Sequence, residues 1–531
     1  MMVDCARDAA QQRVLVSALR DARRYPHPAG PIEVIETHIS YVLLSGAYAY
    51  KIKKAVALGF LDFSTLARRR HYCEEELRLN RRLAEDLYLA VVPITGSHDA
   101  PCLAGEGAAI EYAVQMTRFP QDALLDRKLA TGSLSATPID QLADQLTGFH
   151  GRVERASPAS RFGTPDAVWA AMAQNFVQLT ELLPPTAGKA RLAELEVWSR
   201  ERFGELTGLL ASRLRDGWVR ECHGDLHLGN IVLIGEKLRI FDCIEFDPQL
   251  RWIDVLNEIA FLTMDLEERG RADYAYRLLN RYLEATGDYS ALELLAFYGV
   301  YRALVRAKVA AIRASQEAPA SRDAAIGRCE QYLAHAAKAA GPGCPRLLLM
   351  HGLAGSGKSW IAQQLLERLA ALRIRSDVER KRLYGLPALA HSESAVGGGI
   401  YGTSATRATY DRLVELAGRI LAAGYPVIVD AANLKVWQRN AFRKLAADRK
   451  LPFAIIACSA PKEIIEARLA ARQAANCDAS EADRRVMEQQ RHDQEAFAPD
   501  ERAFCIDIDS SAPFPEGLPG RLEKIPVPGH A

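Results

Sequence analysis

Residues 346–371, RLLLMHGLAGSGKSWIAQQLLERLAA, set an apolar run, a glycine-rich loop and an amphipathic helical stretch in direct succession. Few short patterns constrain a fold as tightly. The loop fits G-x-x-x-x-G-K-[ST] with Gly352, Gly357, Lys358 and Ser359, and Gly355 and Ser356 lie inside it. Glycines let backbone N–H groups close around phosphate oxygens, and the following helix turns its positive end to the same point. The pattern assigns Lys358 to β- and γ-phosphates and the Ser359 hydroxyl to Mg²⁺.

Beyond the loop the sequence alternates regularly. Helical stretches separate the strand-like runs RIRSD, YPVIVDA, FAIIACSA and FCIDID, which predicts a parallel five-stranded sheet covered on both faces. Ligands of such sheets sit at the carboxyl ends of the strands. Asp377 ends the second run, with Arg380 one turn on, and Asp430 ends the third. Asp377 is placed to orient or deprotonate a substrate hydroxyl, Arg380 to hold an anionic group, and Asp430 to contact Mg²⁺ or its waters. Each carboxylate could instead cap a helix. Arg468 and Arg472, four apart on one helical face, suit a lid that stabilises a transferring phosphoryl group, or else a solvated basic face.

A second constellation precedes the first by more than a hundred residues. ECHGDLHLGNIVLIGEKLRIFDCIEFDP crowds His223, Asp225 and Asn230 before a short hairpin that delivers Asp242. This spacing is that of a kinase catalytic loop, H-x-D-x-x-x-x-N, followed by a strand ending in a second Asp. Asp225 would be the base or hydroxyl-orienting group; Asn230 and Asp242 would bind Mg²⁺; His223 would support the loop. A polar turn between strands is the alternative. The same chemistry needs a strand Lys paired with a helix Glu. AYAYKIKK offers Lys51, in preference to Lys53, on one strand face, and CEEELRLN offers Glu76, in preference to Glu75.

With these motifs in hand, residues 30–335 resemble the aminoglycoside phosphotransferase family, on HGDLHLGN, IFDCIEFDP and RWIDVLNEIAFL. In the last of these, Asp254 reads as structural. FDC departs from the D-F-G of protein kinases, and the stretch before AYAYK has only Gly46. Residues 345–531 resemble the small P-loop kinases grouped with zeta toxins and polynucleotide kinase-type phosphotransferases. GLAGSGKS, SDVERKRLYG, VIVDAANL and ARLAARQ carry that likeness. SAVGGGIYGTSA lies where such kinases hold acceptor-binding elements. The whole chain resembles bacterial fusions of the two. The resemblance implies an α+β kinase-like domain over 1–336, a linker at 337–345 and an α/β P-loop domain over 346–531. It implies an enzyme that uses ATP and Mg²⁺ to phosphorylate small hydroxyl-bearing molecules.

Composition narrows the classes. A chain of 531 residues holds two or three domains. Its net charge of +1 favours neither nucleic acid nor a membrane surface. Ten cysteines without a CxxC pair fit reduced thiols rather than a zinc site or disulfide framework. The charged N-terminus lacks a signal-peptide core, and no apolar run reaches the roughly 18 residues of a membrane span. The expectation is a cytoplasmic, bifunctional kinase acting on small molecules. Three other functions are open to the same residues: a nucleotide-sensing module with one domain binding ATP without turnover, an aminoglycoside resistance kinase, for which Glu245 and Asp247 would supply acidic contacts, and nucleic-acid end phosphorylation by the second domain, against which the near-neutral charge and the lack of a basic-aromatic stripe count.

Overall fold

The computed structural model describes residues 2–58, 61–184, 188–316, 319–392, 394, 398–475 and 478–529. The chain divides into two compact units. One comprises Met1–Glu181 with Arg200–Asp265, the other Leu182–Ser199 with Leu266–Ala531. The helix Pro319–Ala339 stops before Gly341. No helix among the described residues is long and apolar enough to cross a membrane.

The first unit is built on a six-stranded antiparallel sheet: β1 (Glu33–Glu36), β2 (Ser40–Ser45), β3 (Tyr48–Lys53), β4 (Tyr88–Gly96), β5 (Pro101–Leu103) and β6 (Ala109–Thr117). The order is β1-β2-β3-β6-β4-β5. Lys51 lies in the middle of the sheet, opposite Val42 on β2 and Val114 on β6. Because strand side chains alternate, Lys51 and Lys53 leave β3 on one face. The helix Leu66–Ala84, N-capped by the Thr65 hydroxyl, buries Cys73, Glu76, Asn80 and Leu83 at helical spacing. A carboxylate on a buried stripe must meet a cation, and the lysines provide it.

Further along, Ile231–Ile234 and Lys237–Ile240 form an antiparallel hairpin in the register Ile231↔Ile240. Its two-residue turn is opened by Gly235 at φ 61°, a left-handed backbone that suits glycine in a tight hairpin. The hairpin returns the chain beside its start, so Asp242 emerges near Asn230. Val219–Glu221 pairs antiparallel with Trp252–Asp254, and the helix Val255–Glu268 follows.

The second unit carries the parallel sheet: β7 (Leu347–His351), β8 (Leu372–Arg375), β9 (Val427–Asp430), β10 (Phe453–Ser459) and β11 (Cys505–Asp509). Its order is β8-β9-β7-β10-β11, every pair parallel. All five expected strands are present. β7 is buried along its whole length, and Leu348, Met350, Ile428 and Ile456 pack with Ile361, Leu365 and Leu366 of the helix Lys358–Leu369. Strand β8 stops at Arg375, so Asp377 sits in the first turn of the helix Ser376–Leu383 rather than at a strand end. Three helices, Ala272–Thr286, Leu292–Gln316 and Pro319–Ala339, belong to the same compact unit.

Candidate active sites

In the first unit, two lysines share one glutamate. Lys51 Nζ lies 2.7 Å from Glu76 Oε1 and 2.5 Å from Asp242 Oδ1. Lys53 Nζ lies 2.7 Å from Glu76 Oε2 and pairs also with Glu245. Burial opposes charge on Lys51, but Asp242 and then Glu76 outweigh it and raise its pKa. Burial likewise opposes charge on Glu76, and the two lysines reverse that and lower its pKa. Glu75 turns away and pairs with Arg78 at 2.9 Å.

The residues of the H-x-D-x-x-x-x-N loop are bonded to one another and to the strand that leads to Asp242. Asn230 Nδ2 donates to the Asp225 carbonyl at 3.0 Å and to Asp225 Oδ2 at 3.1 Å. His227 Nε2 stands 3.6 Å from that carboxylate. His223 is buried, and its Nε2 bonds the Phe241 carbonyl at 2.9 Å, one residue before Asp242. Burial lowers its pKa, and its Nδ1 accepts the Asp225 N–H at 3.3 Å, so both ring nitrogens are engaged between loop and hairpin. Asp242 adopts φ 64°, an uncommon backbone for a residue with a Cβ, and its N–H donates to the Tyr88 hydroxyl at 3.2 Å.

One residue of this region, Glu258, plays a part that motif reading missed. Glu258 Oε1 accepts the backbone N–H groups of His223 and Gly224 at 2.6 and 2.8 Å, and its Oε2 meets His150 Nε2 at 2.7 Å. Despite burial, which raises it, hydrogen bonding to His150 brings the Glu258 pKa down to about 2. By sequence it is an ordinary helix glutamate one turn after Asp254. Asp254 itself is bonded by Arg213 and caps the following helix through the Leu256 N–H at 2.8 Å, as a structural residue would. Glu245 is buried against Lys53, and Asp247 caps the short helix Pro248–Arg251. Both acids expected to receive a polycation are thus engaged within the protein.

In the second unit the phosphate-loop pattern is a real loop between β7 and the helix Lys358–Leu369. A Cβ at Gly352 would meet the Cys458 carbonyl oxygen at 2.4 Å, and Gly357 has φ 83° with a Cβ position 2.5 Å from Ser510 Oγ. Only glycine permits this close backbone. Lys358 Nζ donates to the carbonyls of Gly352 and Leu353 at 2.9 and 2.8 Å. Burial lowers its pKa, opposed chiefly by Asp430. Lys358, Ser359, Asp377, Arg380, Asp430 and Arg472 all line one cleft of about 550 Å³, together with Gly355 and Gly357.

The cleft residues differ in how they are held. Asp430 is buried, and its Oδ2 has no hydrogen-bond partner. Arg380 bonds the Ile400 carbonyl at 2.7 Å and stacks on Tyr401, with its Nε unpartnered. Arg468 bonds Ser510 at its hydroxyl and carbonyl, 2.9 and 2.7 Å, and Arg472 bonds the Ala482 carbonyl. Ser356 is buried with a free hydroxyl. Of the glycine-rich segment SAVGGGIYGTSA, residues 395–397 lie outside the described residues. A glycine cradle, a cleft lysine and a buried, unpartnered carboxylate oxygen fit a polyphosphate with a divalent cation.

Residues 60–295 match the phosphotransferase enzyme family, and residues 347–497 match an AAA domain family of P-loop proteins. Relatives of the whole chain include uncharacterized proteins of Mycobacterium bovis and Mycobacterium tuberculosis. Each is 31% identical over 452 residues, which is 85% of this chain and 88% of the relative. The chain belongs to this family of phosphotransferase–P-loop fusions. Among solved structures, the first region of the fusion is similar to a choline/ethanolamine kinase family protein from Mesorhizobium loti. That match has 13% identity and a TM-score of 0.37, and covers 61% of this chain and 98% of that one. The second region is similar to the APS kinase of Mycobacterium tuberculosis, at 19% identity and a TM-score of 0.24, over 34% and 96% of the two chains.

Proposed function

We propose that the chain is a cytoplasmic phosphotransferase with two sites, each using ATP and Mg²⁺ to phosphorylate a hydroxyl of a small molecule. The observation that carries the reading is the meeting of Lys51 with both Glu76 and Asp242, beside the bonded Asp225–Asn230 pair. In the first site Lys51, oriented by Glu76, binds nucleotide phosphate oxygens. Asn230 and Asp242 hold the metal, and Asp225 accepts the proton of the acceptor hydroxyl. His223 keeps loop and hairpin together. In the second, the Gly352–Gly357 backbone and Lys358 bind phosphates, and Ser359 and Asp430 hold the metal or its waters. Asp377 orients the acceptor hydroxyl, Arg380 holds an anionic part of it, and Arg472 approaches the phosphoryl group. Bound Mg²⁺ would neutralise charge developing on the transferred phosphoryl group.

The test is an ATP-consumption screen against sugars, aminoglycosides, nucleosides and oligonucleotide ends, run on wild type and single variants. Asp225→Asn is expected to keep Mg²⁺-dependent ATP binding and to lower the first site's transfer by about a hundredfold or more, because an amide accepts no proton. Asp242→Asn should weaken the binding itself. Lys358→Ala should abolish only the second site's turnover. Wild-type behaviour of all three would sink the two-site reading. Binding without turnover by either site, for every acceptor tried, would favour the nucleotide-sensing function.

A further inference from the structure

The P-loop cleft contains one cation whose three partners come from three parts of the chain. Arg375 ends β8, in register with Asp430 at the end of β9. Its Nη1 lies 3.2 Å from Glu284 Oε1, its Nη2 2.9 Å from Asp478 Oδ1, and its Nε 3.8 Å from Asp430 Oδ2. The last distance is too long for a hydrogen bond, which is why that buried Asp430 oxygen has no donor. A shift on the order of 1 Å would close it and give Asp430 a guanidinium in place of an open coordination position. What stands against the shift is the pair of carboxylates on the other side of Arg375.

Glu284 is outside the segment that matches the P-loop family, 347–497. It sits on the helix Ala272–Thr286, which lies along the outer edge of β8 within the same compact unit. Asn280 of that helix seals the strand as a neighbouring strand would: its Nδ2 donates to the Ala371 carbonyl at 2.9 Å, and its Oδ1 accepts the Arg373 N–H at 2.6 Å. Arg277 bonds Glu367 at 2.7 Å, and Arg382 bonds the Glu284 carbonyl. The helix is therefore held by both ends of one amide and by two arginines, and Glu284 is held in a set position against Arg375, a residue of the cleft lining. Its second oxygen, Oε2, lies 3.4 Å from Arg373 Nη2, so the carboxylate stands between two arginines of β8 and its Oε1 is the one turned to Arg375.

We infer that Glu284 is a positioning residue of the P-loop site: with Asp478 it holds the Arg375 guanidinium off Asp430, so that the free Asp430 oxygen stays open to a divalent cation. This rests on the proposed reading of the cleft as an ATP and Mg²⁺ site. Nothing in the segment that matches the P-loop family supplies the Glu284 carboxylate, so the second site is complete only with a helix that precedes it in the chain.

The measurement is ATP binding to the full chain as Mg²⁺ is titrated, counting only the binding that Lys358→Ala removes. Glu284→Gln, which keeps shape and loses charge, is expected to raise the Mg²⁺ midpoint about tenfold, the factor one charge-assisted hydrogen bond is worth, with Mg²⁺-free ATP binding little changed. Asp478→Asn, at a more exposed position, should shift the midpoint the same way and carries the test if the first variant does not fold. Adding Arg375→Gln to Glu284→Gln should bring the midpoint back toward wild type, because no cation remains to close on Asp430. Asn280→Ala, which loosens the same helix but keeps the Glu284 carboxylate, should move the midpoint less than Glu284→Gln does. Unmoved midpoints in both carboxylate variants, or a shift that survives Arg375→Gln or is matched by Asn280→Ala, overturn the inference alone. Wild type without Lys358-dependent, Mg²⁺-dependent ATP binding overturns the reading of the cleft, and this inference with it.

Discussion

Each candidate site is centred on a lysine with little access to solvent, and the two are satisfied in opposite ways. Lys51 has two carboxylates within 2.7 Å, and one of them is shared with the fully buried Lys53. Among the described residues Lys358 bonds only the carbonyl oxygens of its own loop, and burial lowers its pKa. The first lysine belongs to an ion network that holds a sheet, a helix and a hairpin in register. The second is a charge kept at a cost, balanced by backbone dipoles. One site is organised by its own charges; the other is organised by its backbone.

That contrast can be broken most directly by removing Glu76. Glu76→Gln leaves two buried ammonium groups short of a carboxylate, and is expected to destabilise the first unit by about 3–5 kcal/mol in urea unfolding. A loss under about 1 kcal/mol would mean that water reaches the lysines and that the network is not the framework described.

The complementary change should do far less to the fold. Lys358→Met removes a cation that burial already disfavours, so the ligand-free protein should keep its melting temperature or gain slightly, within about 1 kcal/mol. What it should lose is the rise in melting temperature that ATP with Mg²⁺ gives the second unit. A large drop without ligand would show that Lys358 is structural, like Lys51.

Acid should sharpen the comparison at the lowest energy scale. In the second unit His351 is buried, and burial lowers its pKa to about 4 from an ordinary 6.5. The unfolded chain binds that proton first, so His351's contribution is full above about pH 6.5 and is lost as pH falls toward 4. In the first unit Glu258 is held at about 2 against an ordinary 4.5, so its contribution is full above about pH 4.5 and is lost only toward 2. His223, lowered by burial in the first unit, adds a loss to that unit below pH 6.5, so the variant carries the test. In unfolding followed at falling pH, His351→Gln should flatten the P-loop unit's dependence between pH 6.5 and 4 and leave the first unit's unchanged. A P-loop unit whose pH dependence His351→Gln does not change would refute the assignment.

How much of this was legible in the sequence depended on whether a feature is local. The phosphate loop, the five parallel strands and the H-x-D-x-x-x-x-N loop are set by residues adjacent in the chain, and all were readable. The choice between Lys51 and Lys53 was not, because β3 presents both on one face and the structure uses both, each against its own second carboxylate. Asp377 was expected at a strand end, yet β8 stops two residues earlier because the chain turns directly into a helix at Ser376. Glu258 and Glu284 were invisible for a different reason. Each is an ordinary helix glutamate by sequence, and its meaning comes from a partner far along the chain, His223 in one case and Arg375 in the other.

Asn280 has a further consequence. A parallel sheet ends in a strand whose outward N–H and C=O groups invite another chain to add itself, and β8 is such a strand. By offering one donor and one acceptor from a single amide, Asn280 fills the pairing positions at Ala371 and Arg373 with a side chain that cannot be extended. The helix Ala272–Thr286 thereby guards the sheet against growth into larger assemblies. A chain truncated to the segment that matches the P-loop family would carry the same nucleotide loop with that edge uncovered, and its solubility would fall with concentration while its loop stayed intact.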